Sequence, residues 1–220
     1  MVKKYLFIAV LLISFISTAQ DINKIYLEAD FNTKISIGET SREIVMYDNI
    51  SVDVPKVSHF NNAVYGITLS MNYQLLKNFA AGVGSGVNFA LYDNHPVLAN
   101  EYQHRIFIPF FLRLRGQKLL GSKSFILSDL NAGYNYANSS FGNSQNGYHF
   151  KERGGYLLNL NLGIGTKIYR FTPIFKVGYE LNQFSHENSL EWIGSGMSYD
   201  DKVKFKTYYH LLTFSLSMKL

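Results

Sequence analysis

The chain of 220 residues contains no cysteine, so a disulfide framework, zinc-thiolate centres, lipoprotein attachment and thiol catalysis are all excluded. Proline is scarce, with four residues, and Trp192 is the single tryptophan, whereas phenylalanine and tyrosine number seventeen and sixteen. An aromatic, β-favouring composition of this kind suits sheets and interfaces. Beyond residue 20 no apolar run approaches the roughly 20 residues that a membrane helix needs. A chain of this composition that crosses a bilayer must do so as a closed barrel, because lipid offers no partner to unpaired backbone groups. Blocks of like charge are missing too: the net charge of +5 falls to +3 without Lys3 and Lys4, too mild to suggest nucleic acid, and no nucleic-acid partner is expected.

The opening stretch MVKKYLFIAVLLISFISTAQ combines the basic Lys3 and Lys4, an apolar run over 5–16, and small residues at Ser17 and Ala19. It reads as a secretory signal peptide, 1–19, cut after Ala19; a run of about twelve residues is too short for a spanning anchor. The expected domain is then 20–220, whose 201 residues suffice for one barrel-sized or sandwich-sized unit.

Eight segments alternate with a period of two. In 64–75, Tyr65, Ile67, Leu69, Met71, Tyr73 and Leu75 share one face, and Gly66, Thr68, Ser70, Asn72 and Gln74 the other. In 79–91, Phe79, Ala81, Val83, Val87, Phe89 and Leu91 stand against a face bearing Gly82, Gly84, Gly86 and Asn88. In 156–168, Leu158, Leu160, Leu162 and Ile164 oppose Asn159, Asn161, Gly163 and Gly165. Segments 104–115, 125–136, 172–183 and 208–220 repeat the split more roughly, and 25–37 carries Glu28 and Asp30 on its polar face. The connections alternate in length: 76–78, 116–124 and 169–171 are short, while 38–62, 92–103, 137–155 and 184–201 are long and polar. Outer-membrane barrels pair short periplasmic turns with long external loops.

Alternation alone does not say which face is outside, and a secreted calyx with an apolar interior is the soluble alternative. Volume favours the membrane barrel, because eight strands enclose an interior just wide enough to be filled by side chains. Leu, Phe and Tyr would overfill it; glycine, serine, asparagine and a few charges fit. The glycines at 82, 84 and 86 are expected to make room for lumen residues such as Arg105, Phe111 and Arg113. Lys204 and Lys206 share the outward parity of the last strand, and a lysine at the bilayer midplane costs about 2 to 4 kcal/mol. They are therefore expected above the bilayer, leaving 212–220 to span it, with Tyr65, Tyr73, Tyr134, Tyr156 and Tyr208 in interfacial girdles.

The fold class expected is all-β, an eight-stranded antiparallel up-and-down transmembrane β-barrel. On IFIPFFLRLRG (106–116), DLNAGYNY (129–136), KVGYELNQ (176–183) and the Ala19-Gln20 pattern, the chain resembles small outer-membrane proteins of the OmpA-domain and OmpX type, especially the OMP β-barrel-domain proteins of Bacteroidota. The resemblance covers roughly residues 22–220 and implies the cell outer membrane, with outer-membrane lipid and lipopolysaccharide as surroundings. Many such barrels end in an aromatic residue read by the assembly machinery; here the last residue is Leu220, and Phe214, Leu216 and Met218 are expected to serve instead.

Glu28, Asp30, Arg105, Arg113, Arg115, Asp129, Lys167, Lys176, Glu180 and Lys219 share inward parity, so acid-base pairs across the lumen are expected. They plug the barrel in one reading and line an ion path in another. A Ser-His-acid site for lipid hydrolysis would draw on Ser185, His186 and Glu187, yet neighbours in sequence do not make a triad, and the His-x-Ser-Asn pattern of the lipid A deacylases is absent. The six histidines lack metal-ligand spacing, and the alternating glycines lack the nucleotide-binding fingerprint. No catalytic residue, cofactor or metal is expected. Function is assigned to the external loops 38–62, 137–155 and 184–201, where Tyr47, Phe60, Phe141, Tyr148, Trp192 and Tyr199 are the candidate anchors for a protein partner. A narrow pore and a lipid-modifying hydrolase are the alternatives.

Overall fold

A computed structural model describes residues 24–37, 42–45, 63–92, 103–143, 148–168, 171–194 and 197–219; the expected signal peptide lies outside them. The strands are β1 (Ile25–Ser36), β2 (Arg42–Val45), β3 (Ala63–Leu76), β4 (Phe79–Tyr92), β5 (Gln103–Leu119), β6 (Ser124–Asn143), β7 (Tyr148–Thr166), β8 (Thr172–Gly194) and β9 (Met197–Lys219). Eight of them, β1 and β3 to β9, follow one another as an antiparallel meander. Pairing of β1 with β9, from Glu28 opposite Lys219 to Ser36 opposite Leu211, closes the sheet into a barrel. The short β2 adds only to the edge of β9, with Arg42 opposite Thr207 and Val45 opposite Lys204.

The apolar face points outward. Leu112 and Leu162 are 65 % and 66 % exposed, whereas Glu28, Asn88 and Asp129 are completely buried. Leu, Ile, Val and Phe side chains from every barrel strand form the outer belt, the reverse of a calyx. Gly84 leaves room for a lumen side chain: a Cβ there would run into the Phe111 ring of the neighbouring strand. At Gly82 and Gly86, by contrast, the space goes to Asn72 and Thr68 of β3, not to arginines of β5. Arg105 stands opposite Ala90, and its side chain lies outside the described residues. Gly84→Val is expected to destabilise the barrel by about 1 to 3 kcal/mol through overpacking, read as a lower urea midpoint. Phe111→Ala in the same chain should recover part of that loss, and failure to recover it would mean the clash is not with the ring.

Two expected loops are strands instead. Most of 137–155 and 184–201 continues β6, β7, β8 and β9, with Phe141 opposite Phe150 and Trp192 opposite Tyr199. Continued pairing satisfies backbone groups that a loop would leave to water. Register shifts between Asn135 and Asn138 and between Arg153 and Leu157 mark the rim, where the ribbons leave the barrel. Gly154 and Gly155 sit at that bend, and a Cβ on either would strike the Asn135 or the Gln183 carbonyl.

Candidate functional site

Inside the belt the lumen is filled in layers. At the turn end, the Lys219 ammonium lies 3.5 Å from the centroid of the Tyr26 ring. Above it, six buried charges from four strands meet: Glu28 and Asp30 on β1, Arg113 and Arg115 on β5, Asp129 on β6 and Lys176 on β8. They converge because each has the inward parity of its strand, and β5 and β6 bring Arg115 directly opposite Asp129.

The geometry satisfies nearly every donor. Arg115 forks onto Asp129 with Nε to Oδ1 at 2.6 Å and Nη2 to Oδ2 at 2.7 Å, and its Nη1 and Nη2 also donate to the two oxygens of Glu28. Arg113 donates to Glu28 Oε1 at 3.0 Å, Asp30 Oδ2 at 2.8 Å, Ser70 Oγ at 2.8 Å and Asn131 Oδ1 at 2.9 Å. Lys176 donates to Glu28 Oε1 at 2.8 Å, to Asp30 Oδ1, and to Asp129 Oδ2 at 3.3 Å. Three cations thus meet three carboxylates. Bidentate guanidinium pairs are the strong form of such contacts; here the arginines tie β5 to β6 and β1, and Lys176 brings β8 into the same cluster.

Nearer the middle, Lys34 of β1 pairs with Glu180 of β8 at 2.6 Å. Lys34 was outside the expected set, although it has the same parity as Glu28 and Asp30; that parity was the available signal. Amides surround the pair: Asn159 and Asn182 donate to Glu180 at 3.1 and 2.7 Å, and Asn131 donates to Asn159 at 2.9 Å. The rest of the expected set divides. Glu28, Asp30, Arg113, Arg115, Asp129, Lys176 and Glu180 come together, but Lys167 does not: it follows the end of β7 and is exposed, its backbone N–H donating to the Lys123 carbonyl. Alternation stops carrying residues inward once the strand ends.

The upper lumen is apolar. Val64, Ala90, Phe107, Ala137, Phe184, Tyr209 and Leu211 form one buried cluster, with Phe107 and Phe184 edge to face at 5.3 Å and Phe184 and Tyr209 at 5.8 Å. A cavity of about 30 Å³ is lined by residues of the charged and amide layers, among them Asn88, whose amide has no hydrogen-bond partner. That volume suits a water molecule or two at most, so this space is too small for a solute. Among the described residues no group of His, Asp and Glu is arranged to hold a metal ion. The lumen carboxylates are already engaged by cations.

The candidate contact aromatics lie elsewhere. Tyr47 and Phe60 fall outside the described residues, while Phe141, Tyr148, Trp192 and Tyr199 sit on the ribbon parts of β6, β7, β8 and β9. Ser185, His186 and Glu187 are consecutive residues of β8, opposite Lys206, Phe205 and Lys204.

The chain matches no protein-family model and no curated protein. Among solved structures it is similar to the outer membrane protein OprG from Pseudomonas aeruginosa, at 12 % identity and a TM-score of 0.56 over 90 % of this chain and 96 % of that one. Neisserial surface protein A matches at 11 % identity and 0.47, over 89 % of this chain and 96 % of that one. The outer membrane protein AlkL, solved in lipid bilayers, matches at 11 % identity and 0.46, over 87 % and 90 %. The likeness to OprG is one of fold, a closed antiparallel barrel of the outer-membrane kind.

Proposed function

We propose that this protein is a non-enzymatic barrel of the outer membrane that acts by contact, through the segments it raises above the bilayer. The observation that carries the reading is the one-sided extension of the wall. Strands β6 to β9 continue past the rim as paired ribbons, Asn138 to Asn143 against Tyr148 to Arg153 and Ser185 to Gly194 against Met197 to Lys206. The two ribbons are joined to each other, from Tyr148 opposite Leu190 to Arg153 opposite Ser185. A filled lumen beneath a raised sheet suits display better than transport. Pairing of β5 with β6 ends at Ile108 and Tyr136, so no described strand pairs with 138–143 on the β5 side. An open edge of this kind can accept an extended segment of a partner. The finer likeness to the OmpA-domain and OmpX type barrels belongs to this reading, as does the outer-membrane location itself.

The test is to replace 140–151 and 187–204 each with an Asn-Gly turn, which closes a hairpin in two residues. The trimmed barrel should keep its heat-dependent mobility on SDS gels and lose its co-purifying partners and cellular phenotype. Unchanged partners and phenotype would end the contact reading. For the competing pore, planar-bilayer recordings of the intact protein are expected to show no steps above the protein-free baseline. For the hydrolase, consecutive strand residues are divided between two faces, which works against a triad at 185–187. No release of fatty acid from lipid A is expected, and His186→Ala should change nothing.

A further inference from the structure

The outer face changes character in steps as β7, β8 and β9 rise past the belt. The register sets Leu160, Tyr179 and Leu212 side by side, then Leu158, Leu181 and His210, with the Tyr179 hydroxyl hydrogen-bonded to His210 Nδ1. Tyr208 stands opposite Gln183 and Tyr156 is 71 % exposed nearby. One step higher, Arg153 is opposite Ser185 and Ser185 is opposite Lys206. Arg153 is exposed and Lys206 half-exposed, and both already interact with neighbours. The next register row places Lys151 opposite Glu187 and Glu187 opposite Lys204, while Glu43 of β2 stands opposite Lys206. Cations outnumber acids in these rows by four to two. On the β1 side of β9, Ile35 stands opposite Leu212 and the Ile37 N–H donates to the His210 carbonyl, and the exposed apolar face continues through Tyr65, Phe89 and Ile106 on β3 to β5.

We propose that Arg153 and Lys206, flanking Ser185, form a binding site for the phosphate of a phosphorylated glycolipid of the outer leaflet. The site rests on the outer-membrane reading above and names a ligand for that barrel. Neighbouring strands lie about 4.8 Å apart, so two strands separate Arg153 from Lys206 by about 10 Å, a gap that both long side chains can close over the serine hydroxyl. The guanidinium supplies a fork that matches a phosphate, and the ammonium supplies a compact charge. Apolar, aromatic and cationic rows follow in the order in which a lipid presents acyl chain, interface and headgroup. Four residues along a strand rise about 13 Å, short enough for one lipid to span the rows from His210 to Lys206.

The experiment uses the refolded full barrel and diphosphoryl lipid A in mixed micelles, with dephosphorylated lipid A and phosphatidylglycerol micelles as the other arms. Wild type should bind diphosphoryl lipid A at least about tenfold more tightly than either, a difference of about 1.4 kcal/mol. The Arg153→Gln, Lys206→Gln double variant should lose that preference, whereas Lys118→Gln with Lys123→Gln, exposed at the turn end, should retain it. Equal binding by the Arg153 and Lys206 variant would overturn the site. Equal binding of phosphatidylglycerol would overturn the glycolipid in favour of general attraction to anionic headgroups. Every protein is first checked for the heat-dependent gel shift; its absence in wild type would overturn the membrane reading and the site with it, a failure distinct from loss of binding by a folded barrel.

Discussion

Glu28→Leu is expected to cost about 3 to 5 kcal/mol of barrel stability, measured by urea unfolding and refolding in lipid micelles. Glu28 is fully buried and accepts hydrogen bonds from Arg113, Arg115 and Lys176. Leucine replaces the carboxylate with a side chain of similar size that accepts nothing, so three buried cations are left to Asp30 and Asp129. The penalty comes from the uncompensated charge more than from the lost pair, because a buried ion pair gains little over well-packed apolar groups. The same reasoning predicts a rescue. Lys176→Met restores the balance, and the double variant should cost less than the sum of the two single changes by up to about 3 kcal/mol. Full stability of Glu28→Leu alone would mean that water reaches the lumen charges and that they do not hold the strands.

Phe184→Ala is expected to lose about 3 to 5 kcal/mol by the same measurement. Its ring is almost completely buried and stacks edge to face with both Phe107 and Tyr209 in the upper lumen. Removing it takes away these contacts and leaves a void that the closed backbone of a barrel cannot collapse to fill. Phe175→Ala is the matched comparison, since Phe175 sits on the outer belt with half its surface exposed. Acyl chains can move into the space it vacates, so its loss should be smaller. Equal losses at the two positions would place the apolar cluster outside the packed interior. If Phe184→Ala also produced conductance steps absent from wild type, the aromatic layer would be the barrier that closes the lumen from above.

Much of this barrel is written in one-dimensional alternation, which is why its wall strands are legible from residues alone. In β3, β4 and the lower half of β7 nearly every second residue is an apolar one on the outer belt, and the residues between face a narrow lumen and are mostly small or polar. The inward parity of Glu28, Asp30, Arg113, Arg115, Asp129, Lys176 and Glu180 followed from the same rule. The ribbons escape it: beyond the rim neither face closes a lumen or belongs to the apolar belt, so the sequence carries polar residues at both parities and the period-two signal fades. Hence 137–155 and 184–201 looked like loops, although their backbones pair as strands.

By itself, then, the sequence determined the number of barrel strands, the apolar outward face and most of the charges that turn inward, because each depends on local periodicity and solvent preference. Only the tertiary structure decided which charges meet. Lys34 reaches Glu180, 146 positions away, and Lys176 meets Glu28 across 148, because closure of β1 onto β9 folds the ends of the meander together. Strand register sets Arg153 and Lys206 on either side of Ser185, and curvature of the sheet into a ring brings Phe107 of β5 edge to face with Phe184 of β8. Such neighbours are set by strand register around a closed ring, a long-range property that alternation along any single strand does not encode.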